Sequence, residues 1–222
     1  MPRKLKIINI CIIFLLITTL SLAADFGINS AVLTHRYFPM RKGDKLAYRS
    51  YGWPIVKEVY LEALAVEAIE SVDCLKIYDS AIDTYFWMAE GIMGNIWLLK
   101  EFDSEFNETT FYGKENAKLI FPKNLQVGTI LWQNPSEHLQ ETVIETGLTV
   151  SVLSTGLGPY YDCVKTIVDW GDGDIDYLYY APNVGLVKVE FNDDGGINGL
   201  ELKELSFKVI TLPWLPLLLF SE

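Results

Sequence analysis

The feature that most constrains the fold is a series of short apolar runs separated by turn-forming residues. The runs are rich in aromatic and β-branched residues, and Gly, Asn and Asp recur between them at short intervals. Runs bounded in this way are typical of the strands of a meander, sandwich or barrel. The sequence therefore predicts a mainly β fold, an antiparallel meander that forms a half-open barrel or a sandwich. The clearest predicted strands are Lys45–Tyr51, Asn95–Phe102, Cys163–Trp170, Asp176–Ala181, Gly185–Phe191 and Leu200–Ile210.

Two further stretches bear on this prediction. Asp193-Asp194-Gly195-Gly196 separates the last two predicted strands and is typical of a tight hairpin turn.

Val56–Glu70 is rich in Ala, Leu and Glu, whose intrinsic preference is helical. The same stretch also alternates in a way that is typical of a half-buried strand. Val59 and Leu61 would lie on one face of that strand, and Glu58 and every second residue after it would lie on the other face. We predict a strand here, because the surrounding sequence is β.

The first 24 residues predict export. Three basic residues open the chain, an apolar run follows over Ile7–Leu22, and Ala23 and Ala24 close it before Asp25. This pattern is typical of a cleaved secretory signal. The apolar run is somewhat short for a membrane anchor, which needs roughly 20 residues. We predict that residues 1–24 are a signal peptide and that residues 25–222 form a single β domain, periplasmic or secreted, with no stable membrane span.

Charge excludes some partners. The chain has 18 basic and 29 acidic residues, a net charge of −11 at pH 7, and loss of the basic signal peptide leaves the mature part more acidic still. Binding to nucleic acid or to anionic lipid is driven by Lys and Arg, so neither is an expected partner. The acidity is typical of a protein kept soluble by its charge.

An internal repeat is indicated by three motifs that recur in the same order. We predict two similar β units, residues 37–113 and 121–210, although hairpins in general share aromatic, Gly and Lys-Glu patterns and could produce the same motifs. The matched motifs are Phe38-Pro39 before Gly43 with Phe121-Pro122 before Gly128, Asp73-Cys74-Leu75-Lys76 with Asp162-Cys163-Val164-Lys165, and Tyr85-Phe86-Trp87-Met88-Ala89 with Tyr177-Leu178-Tyr179-Tyr180-Ala181.

Two cysteines remain after the signal peptide. Cys74 and Cys163 could form a disulfide in an oxidising compartment. Free cysteine is also among the most buried residue types, so two separate core thiols are the alternative. The sequence leaves both open.

Signals for catalysis and metal binding are weak. The two histidines are His35 and His138, and His138 lies in the polar stretch Gln133–Glu141, which is predicted to be a loop. No nucleophile elbow, phosphate-binding loop or paired-His motif occurs, so we expect no enzymatic activity, no catalytic residues, no metal and no cofactor. The acidic cluster around 169–176 lacks the Gly and Glu of a calcium-binding EF-hand loop and is expected to be a hairpin tip.

Aromatic side chains and an apolar tail are the remaining features. The six tryptophans could line a groove for an apolar ligand or stack on sugar rings, but in β proteins such residues are mostly core or cross-strand pairs. Val209–Phe220 is almost wholly apolar, too short to span a bilayer, and interrupted by two prolines. It could lie in a groove of the core or dock on a partner.

Four motifs together resemble a family of uncharacterised exported bacterial β proteins, sometimes filed as TapB-like. The resemblance implies an antiparallel, barrel-like or half-open sheet akin to lipoprotein-carrier folds, and it implies no activity and no catalytic residues. The chain departs from the family pattern at Leu46-Ala47 and Glu90–Met93. The motifs are Tyr37-Phe38-Pro39-Met40-Arg41-Lys42-Gly43, similar to "YFPLxxG"; Gly94-Asn95-Ile96-Trp97 with Lys100-Glu101, similar to "GNVWYxGE"; Leu125-Gln126-Val127-Gly128-Thr129; and Tyr180-Ala181-Pro182-Asn183-Val184-Gly185-Leu186-Val187-Lys188, similar to "YAPGVGLVK".

These observations predict a non-catalytic extracytoplasmic β module that binds an apolar ligand or lipid at the open side of its sheet. The residues of that site are unknown from the sequence. The alternative is a structural or assembly component that docks a partner protein through its surface or its apolar C-terminal tail.

Overall fold

The computed structural model describes residues 32–52, 56–134, 139–170, 175–193 and 196–206. The predicted signal peptide, the apolar tail, His138, Trp53 and Trp214 lie outside these ranges. The described residues form strands joined by turns, which confirms the predicted β class. The strands are β1 Val32–Leu33, β2 Met40–Arg41, β3 Lys45–Tyr51, β4 Glu58–Ile69, β5 Val72–Asp79, β6 Thr84–Glu90, β7 Ile96–Asp103, β8 Glu108–Phe111, β9 Lys118–Phe121, β10 Ile130–Asn134, β11 Leu139–Val152, β12 Leu157–Asp169, β13 Ile175–Ala181, β14 Gly185–Asp193 and β15 Gly196–Ser206.

One large antiparallel sheet contains all of these strands except β1 and β2, which pair with each other. Its order is β10-β11-β12-β13-β14-β15-β3-β4-β5-β6-β7-β8, and β9 also pairs with β7. The first and second halves of the chain are therefore two meanders, joined where β15 pairs with β3. Within the described residues β9 and β10 do not pair, so the sheet is half-open rather than closed.

The ambiguous stretch Val56–Glu70 is a strand, as predicted from its alternation. β4 pairs with β3 on one side and with β5 on the other. Ala63 is fully buried and Leu61 packs against the same cluster, whereas Glu58 is exposed. Burial of the alternate apolar side chains outweighs the helical propensity of the Ala and Glu residues.

The predicted hairpin turn at Asp193–Gly196 is confirmed, because these two residues are paired between β14 and β15.

The prediction of a loop over Gln133–Glu141 is wrong at both ends. β10 continues to Asn134 and β11 begins at Leu139, and their backbones pair. Glu141 is accommodated in β11 because its side chain is hydrogen-bonded inside the protein.

Two hairpins carry the same irregularity. In β6–β7, Trp87 is opposite Lys100 and Met88 is opposite Leu98, so that Leu99 is an extra residue. In β13–β14, Tyr179 is opposite Lys188 and Tyr180 is opposite Leu186, so that Val187 is an extra residue. A β-bulge of this kind bends the strand and turns its following side chains to a new face. Both extra residues are fully buried.

A second backbone detail also occurs twice. The amide of Gly43 donates to the carbonyl of Ala63 at 2.7 Å, and the amide of Ala63 donates to the carbonyl of Asp44. The amide of Gly128 donates to the carbonyl of Val143 at 2.8 Å, and the amide of Val143 donates to the carbonyl of Thr129. Gly43 and Gly128 both have positive φ, at 92° and 90°, which only glycine adopts readily. The turn that leads into each meander is therefore built in the same way.

The main core lies on one face of the sheet, called the inner face below. Its cluster collects buried side chains from β4 to β7 and from β9 to β13, which are distant in strand order. The sheet must therefore curve to bring these side chains together. Two smaller clusters hold the bulge residues, one with Cys74, Ala89 and Leu99 and the other with Cys163, Ala181 and Val187.

Candidate ligand site under the N-terminal segment

The inner face is covered by the start of the described chain, residues 32–41, called the N-terminal segment below. Leu33, Tyr37, Phe38 and Met40 are buried in the main cluster, and each is at most 7% exposed. The two short strands of the segment pair with each other and form no backbone pairing with the strands of the large sheet. The segment therefore contributes apolar side chains to the core and is not a strand of the large sheet.

Polar contacts tie the N-terminal segment to both meanders. The amide of Thr34 donates to the Glu90 carboxylate at the end of β6, and the hydroxyl of Thr34 does the same at 2.7 Å. Arg36 forms an ion pair with Asp162 on β12. The carbonyl of Arg36 accepts from the amide of Asn183, in the turn between β13 and β14, at 2.6 Å. The segment therefore bridges the two halves of the sheet.

His35 is the buried polar residue of this segment, with 3% of its surface exposed. Its Nε2 lies 3.0 Å from the carbonyl of Pro122, and its Nδ1 accepts from the amide of Tyr37 at 3.2 Å. These contacts require the neutral tautomer with the proton on Nε2. Burial lowers the pKa of His35, while the Pro122 contact and the charge of Glu90 act in the opposite direction. Both ring nitrogens are occupied, which suits a structural role better than proton transfer.

The rings under the segment form a chain across the core. Phe38 and Phe121 stack with centroids 5.0 Å apart and planes at 22°. Phe121 meets the ring of Tyr180 edge to face at 5.3 Å, and His35 lies 5.4 Å from Phe121. Aromatic contacts in these geometries stabilise beyond their buried area.

A cavity of about 390 Å³ lies between the N-terminal segment and two turn residues, Asp44 before β3 and Asn183 between β13 and β14. Its apolar wall includes Leu33 and Met40, and its polar rim includes Arg41 and Asn183. Small-molecule sites range from about 300 to 1,000 Å³ and combine an apolar wall with a few polar groups. The cavity is thus large enough for part of an apolar ligand. The full lining is Val32, Leu33, Thr34, Pro39, Met40, Arg41, Asp44 and Asn183.

A buried carboxylate lies deeper on the inner face. Oε1 of Glu141 accepts from the hydroxyls of Thr166 at 2.7 Å and Tyr180 at 2.9 Å, and Oε2 accepts from the indole of Trp132 at 2.8 Å. Burial raises the pKa of Glu141, and the three donors partly offset that effect. The donors come from β10, β12 and β13, so Glu141 connects four strands.

The opposite face of the sheet carries rows of lysine and aromatic side chains. Trp87 lies between Lys76 and Lys100 in the strand register, and their Nζ atoms are 4.8 and 4.2 Å from its ring centroid. Tyr179 lies in the same way between Lys165 and Lys188, with Nζ atoms at 5.2 and 5.8 Å. Such pairs stabilise a sheet on its own, so this face is explained without a ligand.

The two cysteines are free thiols in the structure. Cys74 and Cys163 are both fully buried, and they belong to different clusters. Burial raises their pKa values, to about 12 for Cys74 and about 11 for Cys163. The alternative of two separate core thiols, rather than a disulfide, is the arrangement that the structure contains.

The other residues singled out in the sequence are not brought into one site. Asp176 accepts from the indole of Trp170 at 2.8 Å, and residues 171–174 lie outside the described ranges. Within the described ranges no group of three or more His, Cys, Asp or Glu could hold a metal ion. The same ranges contain no helix that is long and apolar enough to cross a membrane.

Sequence reasoning missed both Glu141 and the covering role of the N-terminal segment. Glu141 has one usable signal, since it lies two residues before the apolar Val143 and so shares its face in a strand. The N-terminal segment has a weaker one, namely the apolar Tyr37–Met40 run so close to the predicted cleavage site.

Comparison with protein-family models and with the curated proteins found no match. Among solved structures, the chain is similar to a candidate exported protein with a YmcC-like fold from Bacteroides fragilis. That likeness has 14% identity and a TM-score of 0.43, and it covers 78% of this chain and 100% of the other. The chain is also similar to a candidate lipoprotein from Parabacteroides distasonis, with 16% identity, a TM-score of 0.40, and coverage of 78% and 99%.

Proposed function

We propose that this chain is a non-catalytic extracytoplasmic β module that binds an apolar ligand or lipid. The observation that carries the proposal is the cavity beside the N-terminal segment, with Leu33 and Met40 in its wall and Arg41 at its rim. An apolar wall stabilises a hydrocarbon chain by removing it from water. A polar rim orients the head group of such a ligand.

Native mass spectrometry of the protein exported to a periplasm, without reduction, tests this proposal. An extra mass that is lost under denaturing conditions supports a bound ligand. The variant Val32→Trp narrows the cavity and is expected to lose that mass. Val127→Trp is the matched control, because Val127 is 64% exposed and lies outside the cavity lining. A bare mass for the wild type would count against the proposal.

We also infer that residues 37–113 and 121–210 are two copies of one β unit. Three matched features support this inference: the bulges at Leu99 and Val187, the glycine turns, and the lysine–aromatic rows. Each smaller cluster also holds a Cys, an Ala and the bulge residue at matching positions of the motifs. Hairpins in general do not share all of these details.

A docking role remains the second candidate, and one observation favours it. Leu153 is 85% exposed and Tyr161 is 67% exposed, and both belong to the hairpin of β11 and β12. Exposed apolar side chains on one hairpin can contribute to an interaction surface. Deletion of Leu212–Glu222 tests the tail: loss of a co-purified partner with an unchanged melting temperature supports docking, whereas simple unfolding supports a tail that belongs to the core.

Export is part of the proposal. The sequence supports a cleaved signal peptide over residues 1–24. N-terminal sequencing of the secreted protein should give Ala24 or Asp25 as the first residue. An intact Met1 on membrane-bound protein would contradict it.

A further inference from the structure

The N-terminal segment and the region of β9 carry matching sequence motifs. Each carries a Phe-Pro pair that leads to a turn glycine, and their rings, Phe38 and Phe121, stack on each other. β9 is held in the large sheet by backbone pairing with β7, with Ile96 opposite Phe121. The N-terminal segment has no such pairing with the large sheet. It is held by buried side chains and by isolated hydrogen bonds instead.

Departure of the segment would uncover an apolar surface without breaking a ladder of the large sheet. The cluster that the segment shares with the sheet includes Ile77, Leu98, Val143 and Val164, each of which is buried. The apolar side chains of the segment itself show what chemistry this surface accepts. The cavity lies beside the same segment, which contributes six of its eight lining residues.

We propose that the N-terminal segment is a displaceable cover, and that an unbranched acyl chain takes its place on the inner face of the sheet. The inference rests on the apolar-ligand function proposed above and adds the location of the site and its closure. Arg41 is exposed at the rim of the cavity and suits an anionic head group at the end of the chain. A hydrocarbon chain can follow the surface that Leu33, Phe38 and Met40 now occupy.

His35 makes the closure sensitive to acid. Protonation of Nδ1 replaces the acceptor of the Tyr37 amide with a second donor and places a charge in an apolar site. The Glu90 carboxylate is the charged group that acts on the ring, while Arg36 is the next residue in the chain and Lys123 follows Pro122, whose carbonyl the ring contacts. Glu90 is already hydrogen-bonded to Thr34, so it offsets the burial of a positive ring only in part. Below about pH 6.5, the ordinary pKa of histidine, the covered state is therefore weakened.

The test uses the mature protein and the neutral fluorescent probe N-phenyl-1-naphthylamine. Hydrogen exchange is followed at the backbone amides of residues 33–40, except Pro39, which has no amide hydrogen. At pH 7.5 weak binding and protected amides are expected. At pH 5.5 binding should rise several-fold while these amides lose protection and those of β5 and β12 keep it. His35→Asn keeps an acceptor for Tyr37 and removes the titrating group, so its binding should not change between the two pH values.

A second variant tests the cover without a change of pH and without altering a buried side chain. Arg36→Ala removes the exposed ion pair with Asp162 and should raise probe binding at pH 7.5. Lys203→Ala removes an exposed ion pair with Glu58 elsewhere and should leave binding unchanged. Tight probe binding while the amides of 33–40 stay protected would overturn the cover and leave the ligand function standing. Exchange of these amides without any probe binding would overturn the ligand function itself.

Discussion

The rings of Phe38 and Phe121 stack with their centroids 5.0 Å apart. Each ring belongs to a Phe-Pro pair that precedes one of the two meanders, and each contacts structure that belongs to the other half. β9, which ends at Phe121, pairs with β7, while Arg36, next to Tyr37, accepts a bond from Asn183. The two inferred copies are thus interlocked at their start, and neither half would complete its core alone.

The stacking of the two rings should be measurable as a coupling between Phe38 and Phe121 in the free energy of unfolding. Phe38→Leu and Phe121→Leu each remove a buried ring, and the double variant should lose about 1 kcal/mol less than the sum, since that is the size of an aromatic pair. Urea unfolding of the four proteins measures this cycle. Phe102 packs in a different cluster, so Phe38→Leu and Phe102→Leu should add without coupling. If the two double-variant cycles gave the same coupling energy, the stacking of Phe38 on Phe121 would not be the source of that energy.

The buried carboxylate of Glu141 should set part of the pH dependence of stability. Burial raises its pKa above the ordinary value of 4.5, so the protonated form is favoured in the folded state. Its contribution to stability is therefore full below about pH 4.5 and is lost as the pH rises through the folded pKa. Relative to wild type, Glu141→Gln should become more stable as the pH rises from 4.5 towards neutrality.

The measurement for Glu141 is the difference in unfolding free energy between wild type and variant across that pH range. A difference is needed because burial lowers the pKa of His35, whose contribution is present above pH 6.5 and is lost as the pH falls. Glu145→Gln is the control, because Glu145 lies on the same strand and is exposed. A difference that does not vary with pH would refute the burial of a titrating carboxylate at position 141.

The local sequence pattern was sufficient for most of the predicted strands, but it was insufficient for the ends of β10 and β11 and for the site. The alternation of Leu61 and Ala63 and the turn at Asp193–Gly196 depend on neighbours along the chain, and both were predicted. The ion pair of Arg36 with Asp162 and the three donors around Glu141 depend on the register between distant strands, which no local pattern records. A single acidic residue in a polar stretch is more often exposed, and the spacing of Glu141 from Val143 was the one local signal that it shares a buried face.

A glycine in the last described strand should tolerate no side chain. A Cβ built on Gly199 would lie 1.9 Å from the carbonyl oxygen of Val189 and 2.8 Å from the hydroxyl of Tyr51. Because the first contact is with backbone of the neighbouring strand, Gly199→Ala should cost about 3 kcal/mol, the upper range for overpacking. Gly156→Ala is the control: its φ of 72° costs about 1 kcal/mol, and its Cβ would meet nothing within 4 Å. Similar urea midpoints for the two variants would contradict this packing.

The two thiols should be inert until the protein unfolds. Only the thiolate attacks an alkylating reagent, and burial raises the pKa of Cys74 to about 12 and of Cys163 to about 11. Both side chains are also fully buried in separate clusters, which keeps them from the reagent and from each other. Iodoacetamide at pH 8 should therefore modify neither cysteine of the folded protein and both cysteines in guanidinium chloride without reductant. If denatured, unreduced protein resists alkylation and has the mass of two hydrogens less, the cysteines form a disulfide and this arrangement of the clusters is wrong.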